Sequence, residues 1–509
     1  MNNIASSEWD PSIAAPLIHS KLTLRDVLND YDNQHLFTED NTHFLFLVYK
    51  NEVFSQRADE LITISDQTIN TNYNISPAAI PNGDSLTLTH TTTYPFATPA
   101  GARYDTLYIK SGMMNFAINS NLNHDAKIRI TMPSATKNGI PFSATLIYNY
   151  SGSLPVLVNS NFDLSDYKVV FTNVGGQSQI TINYAVTIYG DGTGMSPSYT
   201  WNMGESLSNL KFSKFIGYFG QQTLNINNDT IPIDIFTHNF SGFYDFVDPK
   251  LHFIVDNSYG IPVVVNIGNF KAFSTQNSPY VVTISGSGIP IPWNILYPNF
   301  SQMGQSVRTQ IDLDKNNSTI KNAIDISPQH LLCQLSGTSN PGGPTAMPNF
   351  VCDTSRLRAE IQVELPLWGK AWNFVLIDTI AFELKDVKEI ESILFKINID
   401  NGFPIDSRVQ LYFTDSTSTV LDSLLNPFQQ VVYGAPVGSA PDYKVISPVK
   451  KVTETTMGRA RLDHLLNVKK MIIKAYINTY DATNTFVKLY SDYNIDVRVG
   501  VKAQLKIQI

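Results

Sequence analysis

The last fifteen residues constrain the fold most. Ile495, Val497, Val499, Val501, Ala503, Leu505, Ile507 and Ile509 alternate with Asp496, Arg498, Gly500, Lys502, Gln504, Lys506 and Gln508. Successive side chains of a strand point to opposite faces, so this period of two puts every apolar group on one face. A bilayer-spanning barrel strand would be shorter and flanked by aromatic girdles. The charged polar face therefore argues for a sheet packed on one side. The pattern recurs at Ile361, Val363 and Leu365, at Leu86 and Leu88, and at Phe395, Ile397 and Ile399. Turn signals at Asn82-Gly83-Asp84, Asn138-Gly139, Asp191-Gly192 and Asn401-Gly402 separate the strands. Helical stretches are short: Thr23–Leu28, Ser318–Ile324 and Arg461–Leu466. The expected class is all-β, an elongated multi-domain chain of antiparallel β-sandwich units (Ig-like or LEA-like) with a few short helices.

Composition agrees. Of 509 residues only 16% are charged, against ~25% in an average soluble domain, and the net charge is −8. The polarity comes from Asn, Ser, Thr and Gln. An acidic balance without a basic stripe argues against nucleic-acid binding. No apolar run is long enough for a transmembrane helix.

One motif recurs at intervals of about 140 residues. Leu251–Asp256 runs into Asn257-Ser258-Tyr259-Gly260-Ile261-Pro262 and then Val263–Ile267. Leu394–Asp400 runs into Asn401-Gly402-Phe403-Pro404 and then Val409–Phe413. Met113–Ile118 runs into Asn119–His124 and then Lys127–Met132. Each copy reads as a hairpin with an Asn-rich corner, which suggests three related β-domains. The expected boundaries are 1–55 for an N-terminal segment with a short helix and strand, then β-domains at 56–200, 201–350 and 351–509. Residues 351–509 carry 19 Lys/Arg and 18 Asp/Glu, and residues 1–350 carry 17 and 26, so the acidic surplus belongs to the earlier part. The Gly/Pro-rich loop at Pro341–Pro348 is the expected junction.

These segments carry a resemblance. Trp9-Asp10-Pro11-Ser12-Ile13-Ala14-Ala15-Pro16-Leu17-Ile18 with Leu22–Leu28 resembles the start of the mature region of exported, lipoprotein-type proteins of Bacteroidota. Asp248–Leu251 with Asn257–Pro262, and Trp368–Phe374, extend it through most of the chain. The resemblance implies an envelope or surface location, outer-membrane associated, with a lipid anchor upstream. No activity is assigned to that group. The strand, Asn-x-x-Gly-x-Pro turn, strand unit is also similar to late-embryogenesis-abundant type 2 sandwich domains. The start, Met1–Trp9, has no basic or apolar signal region. The abundance of uncharged hydroxyl and amide side chains nevertheless favours a mature exported protein, periplasmic or on the cell surface.

Catalytic motifs are missing from the sequence. There is no HExxH and no GxSxG elbow, and Gly190–Gly194 is followed by Met195-Ser196-Pro197 in place of a phosphate-binding helix. Asp312–Ser318 imitates half a calcium loop but has Asn317 and Ala323 where Gly and Glu are needed, so it reads as a polar loop before a helix. His252, between Leu251 and Phe253, reads as an ordinary strand histidine. No cofactor and no metal site are expected. Cys333 and Cys352 flank a loop that a disulfide would close for ~3 kcal/mol; whether they bond or remain two thiols stays open. The aromatic residues Trp201, Trp368 and Trp372 are the candidate ligand-binding positions, able to stack on sugar rings or anchor a partner if exposed, and otherwise core. The expected function is a non-catalytic envelope or surface protein with a binding or assembly role toward a protein or glycan partner. The alternatives are a carbohydrate-binding protein and a lipid carrier whose apolar strand faces line a groove.

Overall fold

The computed structural model describes residues 8–508 apart from 24–36, 76–78, 100, 194–198, 234–241, 276–277, 346, 383–388 and 426–427. Strand accounts for 62% of it and helix for 4%, so the all-β expectation holds. The described α-helices are Ala58–Leu61, Ile320–Asp325 and Arg459–Leu465. Two of them fall where helix was expected. The third expectation, Thr23–Leu28, lies outside the described residues beyond Thr23, which ends a strand.

Hydrogen-bonded strand order defines three sandwiches. In the first, Gln67–Ile75, Tyr199–Tyr218, Arg103–Ser120 and Val156–Asp163 lie side by side in one sheet. The facing layer holds Ser85–Pro95, Gln177–Tyr189, Ala126–Lys137 and Ile140–Tyr148. Lettered B to I in chain order, these layers read B-I-D-G and C-H-E-F, the two four-stranded sheets of a jelly roll. The second sandwich repeats that order. Leu45–Arg57, Arg356–Pro366, Lys250–Asn257 and Val307–Leu313 form one layer. Thr223–Pro232, His330–Ser339 and Val263–Phe273, with the short Val281–Thr283 and Trp293–Ile295, form the other. The third uses Ser12–Thr23, Asn494–Leu505, Ile390–Asn401 and Val449–Gly458 against Phe374–Ala381, Lys470–Thr479, Ile405–Thr414, Val420–Ser423 and Gln429–Val432.

The jelly-roll order stands in place of an immunoglobulin-like one, and the three units are nested. The inner unit lies in the connection between strands B and C of the middle unit. The middle unit lies in the same connection of the outer unit. Strand pairing therefore does not follow contiguous boundaries at 55, 200 and 350: Ser12–Thr23 pairs with Asn494–Leu505, and Leu45–Arg57 with Arg356–Pro366. The loop at Pro341–Pro348 is the H–I connection inside the middle unit and not a junction between units.

The recurring Asn-rich motif marks the D–E corner of every unit. Its two strands belong to opposite sheets and do not pair as a hairpin; the corner carries the chain across the sandwich. In each copy the last residue of strand D accepts from the backbone N–H two residues on. Asn257 Oδ1 accepts from Tyr259 at 2.9 Å, Asn401 Oδ1 from Phe403 at 3.0 Å, and Ser120 Oγ from Leu122 at 3.1 Å.

Each sandwich has its own core, built from the period-two faces. Ile361, Val363 and Leu365 are at most 1% exposed in the middle unit. In the outer unit the C-terminal strand ends at Leu505, and Ile507–Gln508 turns aside to pair with Glu8–Trp9. Its valines are half-buried because the neighbouring strand, Ser12–Thr23, is a solvent-facing edge. A small aromatic cluster of Phe44, Phe403, Tyr490 and Tyr493 joins the middle and outer units.

Candidate functional site

A polar cleft lies where the middle unit hands the chain to the outer one. Strand Trp368–Trp372 pairs on one side with Phe243–Phe246 and on the other with Val487–Lys488. It is a connector between two sandwiches, so its side chains are not consumed by either core. Beside it opens a cavity of about 640 Å³ lined by Asp245, Lys370, Trp372, Asp406, Asn478 and Asp481, among others.

These groups are held in place. Trp372 is half-buried and stacks on Phe243, with ring centroids 5.6 Å apart and planes 17° from parallel. Asp245 Oδ1 accepts from Lys321 Nζ at 2.6 Å. Asp406 Oδ1 accepts from Gln430 Nε2 at 2.9 Å and from the Gly434 N–H at 2.7 Å. Neither aspartate has a partner on Oδ2 among the described residues. Lys370 Nζ donates to the Thr483 carbonyl at 3.0 Å and sits 4.3 Å from the centre of the Phe486 ring. Asn478 Oδ1 accepts from the Asn373 N–H at 2.9 Å, which leaves its amide NH₂ available. The cleft thus offers one aromatic wall, carboxylate acceptors and amide and ammonium donors around a volume sufficient for one or two sugar rings. Among the described residues, no group of three or more His, Cys, Asp or Glu side chains is arranged to hold a metal ion.

Of the three candidate tryptophans, Trp372 alone lines this cleft. Trp368 lies on the same strand but belongs to the junction packing, with Lys488 Nζ 4.9 Å and Lys315 Nζ 5.9 Å from its ring centre and Tyr443 beside it. Trp201 is in the inner unit, 1% exposed, and offers no open ring face to bulk solvent. The two cysteines are unbonded. Cys333 points into the middle unit's core, where burial pushes its thiol up to about 12. Cys352 lies on a short strand, Asn349–Cys352, that pairs with the inner unit's Tyr199–Tyr218. Their strands serve different sheets, and the bond left open by the sequence does not form.

His252 and the Asp312–Ser318 loop have structural roles. His252 is a strand histidine with Nδ1 2.5 Å from Asp312 Oδ1 and Nε2 3.7 Å from Glu364 Oε2; Glu364 foremost, then Asp312, raises its pKa despite partial burial. Asp314 Oδ1 accepts from the N–H groups of Asn316 and Asn317, closing the turn that leads into helix Ile320–Asp325. No local sequence pattern marks Asp245, Asp406 or Asp481 as cleft residues, because each is far from the Trp368–Trp372 segment along the chain.

A second cavity lies between the sheets of the middle unit. It measures about 160 Å³ and is walled almost wholly by apolar groups, among them Phe253, Val265, Trp293, Leu335 and Phe219.

Comparison with known proteins adds little. No family model matches the chain, and no curated protein matches it. Among solved structures, a presumed secreted protein from Parabacteroides distasonis aligns over 97% of this chain and 99% of its own, at 10% identity and a TM-score of 0.28. A structure of the Gx strain of infectious bursal disease virus aligns over 85% of both chains at 8% identity and a TM-score of 0.14. The VP2 subviral particle of the same virus covers 87% of this chain and 81% of its own, at 6% identity and 0.13. Superpositions this poor carry no conclusion about fold or role; the jelly-roll assignment rests on the strand order above.

Proposed function

We propose that the protein is a non-catalytic binding protein, exported to the envelope or cell surface, that holds a carbohydrate in the cleft beside Trp372. The observation that carries this reading is the composition of that cleft. A sugar presents apolar C–H faces and many hydroxyls. A flat indole packs against the former, and acceptor oxygens with amide and ammonium donors pair with the latter. The sparse charge and the hydroxyl- and amide-rich sequence support an exported setting. Screening against a glycan array, followed by calorimetry, tests it. Trp372→Ala should weaken the best glycan by about tenfold or more, the loss typical of a binding hot spot. Absence of any glycan ligand, or indifference to this substitution, refutes it.

The 160 Å³ cavity favours a second reading, an apolar ligand in the middle unit. That volume is close to the ~150 Å³ that accommodates a benzene-sized guest, so the cavity would take the end of one acyl chain and not a whole lipid.

A further inference from the structure

The apolar cavity of the middle unit is a gap between two cores. On one side its walls are Phe219, Tyr259 and Ile261, at most 8% exposed, which belong to the inner unit's apolar cluster. On the other side Phe253, Trp293 and Ile295 belong to the middle unit's cluster. Leu357, also on the wall, packs against both. The two cores thus face each other across a space of about 160 Å³. Unfilled, it leaves the facing apolar atoms without contact partners.

The mouth of the cavity lies where the inner unit is inserted. One tether, residues 58–66, carries the chain out of the middle unit after strand Leu45–Arg57. Another, residues 219–222, returns it to strand Thr223–Pro232. Both line the cavity, through Leu61 and Ile62 on the way out and through Phe219 and Gln222 on the return. Leu61 is 46% exposed, and Gln222 and Thr223 are exposed as well, so these three mark the opening. Phe253, Trp293 and Ile295, 1–4% exposed, form the floor. Each tether is anchored to the middle unit separately. The Ala58 N–H donates to the Ser355 carbonyl at 2.9 Å, and the Gln222 N–H to Ser339 Oγ at 3.0 Å. Among the described residues no hydrogen bond joins one tether to the other.

We infer that the end of an unbranched alkyl chain fills this gap and, by packing on both cores and both tethers, couples the inner jelly roll to the middle one. The inference rests on the apolar-ligand reading above and adds what the ligand does there. No charged side chain lines the cavity, and the Tyr259 hydroxyl is already used, donating to the Gln56 carbonyl at 2.8 Å. The inserted end is therefore hydrocarbon, while Gln222 and Thr223 at the rim suit an uncharged polar head. A cavity of ~150 Å³ holds a benzene-sized guest, so about six carbons enter. A ligand that binds only the packed arrangement stabilises it against local opening of the tethers.

The probe is n-octanol, and its control is the matching diol, which carries a second hydroxyl at the buried end. On the full chain, ligand-observed NMR should show octanol binding at millimolar concentration and the diol about tenfold more weakly, because its far hydroxyl would be buried unpaired. Hydrogen exchange read by mass spectrometry should slow about threefold over residues 58–64 and 219–223 when octanol is present at about twice its Kd. Val265→Trp fills the gap with a side chain. It should weaken octanol by about tenfold or more and slow exchange in the same two segments without ligand. Ala359→Leu, a smaller plug from the opposite sheet, makes the same test if the larger side chain unfolds the sandwich. Octanol binding with unchanged exchange in both tethers overturns the coupling and leaves the apolar-ligand reading standing. Failure of octanol to bind overturns both. A diol that binds as well as octanol overturns the hydrocarbon end.

Discussion

Glu205 should make the inner unit's stability depend on pH, with a sign opposite to that of most carboxylates. Its side chain sits on the inward face of strand Tyr199–Tyr218, and burial raises its pKa from 4.5 to about 7, opposed by the hydrogen bond from Tyr184. In the unfolded chain the group titrates normally. Between those two values the folded protein holds a proton that the unfolded chain has released. The contribution is therefore fully present below the unfolded pKa and is lost as pH rises through the folded one. A rise from 4.5 to about 7 corresponds to about 3 kcal/mol at ~1.36 kcal/mol per unit. Glu205→Gln keeps the shape and an oxygen to accept from Tyr184 but removes the titration. The variant should match the parent near pH ~4.5 and exceed it by about 3 kcal/mol near pH ~8. Three nested units need not unfold together, so amide hydrogen exchange of the 199–218 strand, read by mass spectrometry in both proteins across this range, is the appropriate assay. Other titrating groups, His252 included, are common to both proteins and cancel in the difference. A parent–variant difference that stays constant between those pH values would refute the reasoning.

Two further outcomes concern the corners and cavities. Asn401→Ala should destabilise the outer unit by about 3 kcal/mol, measured by urea unfolding, because the two Nδ2 protons are shared among the carbonyls of Phe403, Ile405 and Tyr433 and Oδ1 accepts from the Phe403 N–H; the substitution removes all of these bonds, although the Phe403 carbonyl keeps the Ala435 N–H. Native mass spectrometry of protein mixed with a medium-chain fatty acid should show one bound molecule that Val265→Trp eliminates, if the middle cavity takes apolar ligands.

The D–E corners were legible because their chemistry is local. An Asn or Ser that must bond its own backbone two residues on, followed in two copies by Gly and Pro, leaves the same imprint at Ser120, Asn257 and Asn401. The nesting was not legible, for the complementary reason. Strand B of each unit, such as Leu45–Arg57, looks like any half-buried strand, and nothing near it shows that its partner lies at Arg356–Pro366. A contiguous division into domains is the natural reading of such a sequence, and long-range pairing defeats it. The site residues divide in the same way. Trp368–Trp372 stands out as a short aromatic motif, whereas Asp245, Asp406 and Asp481 become a site only when three separate segments converge. Glu205 did carry a signal. Trp201, Met203, Glu205 and Leu207 occupy the inward register against Asn202, Gly204, Ser206 and Ser208, so period two alone puts this carboxylate inside.

Nesting also orders the assembly of the chain. Strand Ser12–Thr23 must find Asn494–Leu505, nearly the whole chain away, and Leu45–Arg57 must find Arg356–Pro366. Loop closure over such separations is slow and entropically costly while the intervening chain is disordered. The inner unit faces no such barrier, since its strands B to I all lie within residues 67–218. Once it is folded, Gln67 and Leu207 are paired neighbours, and the long excursion between strands B and C of the middle unit shrinks to a short tether. The middle unit then does the same for the outer one. On this logic the insertion point matters more than the insert: Gln67–Ile75 and the end of Tyr199–Tyr218 share a sheet. The latter strand also pairs with Asn349–Cys352, so the inner unit is stitched to the H–I connection that it helps to close. The polar cleft forms last, because Lys370 and Trp372 meet Asp406 and Asn478 only when the outer sandwich has closed around the connector.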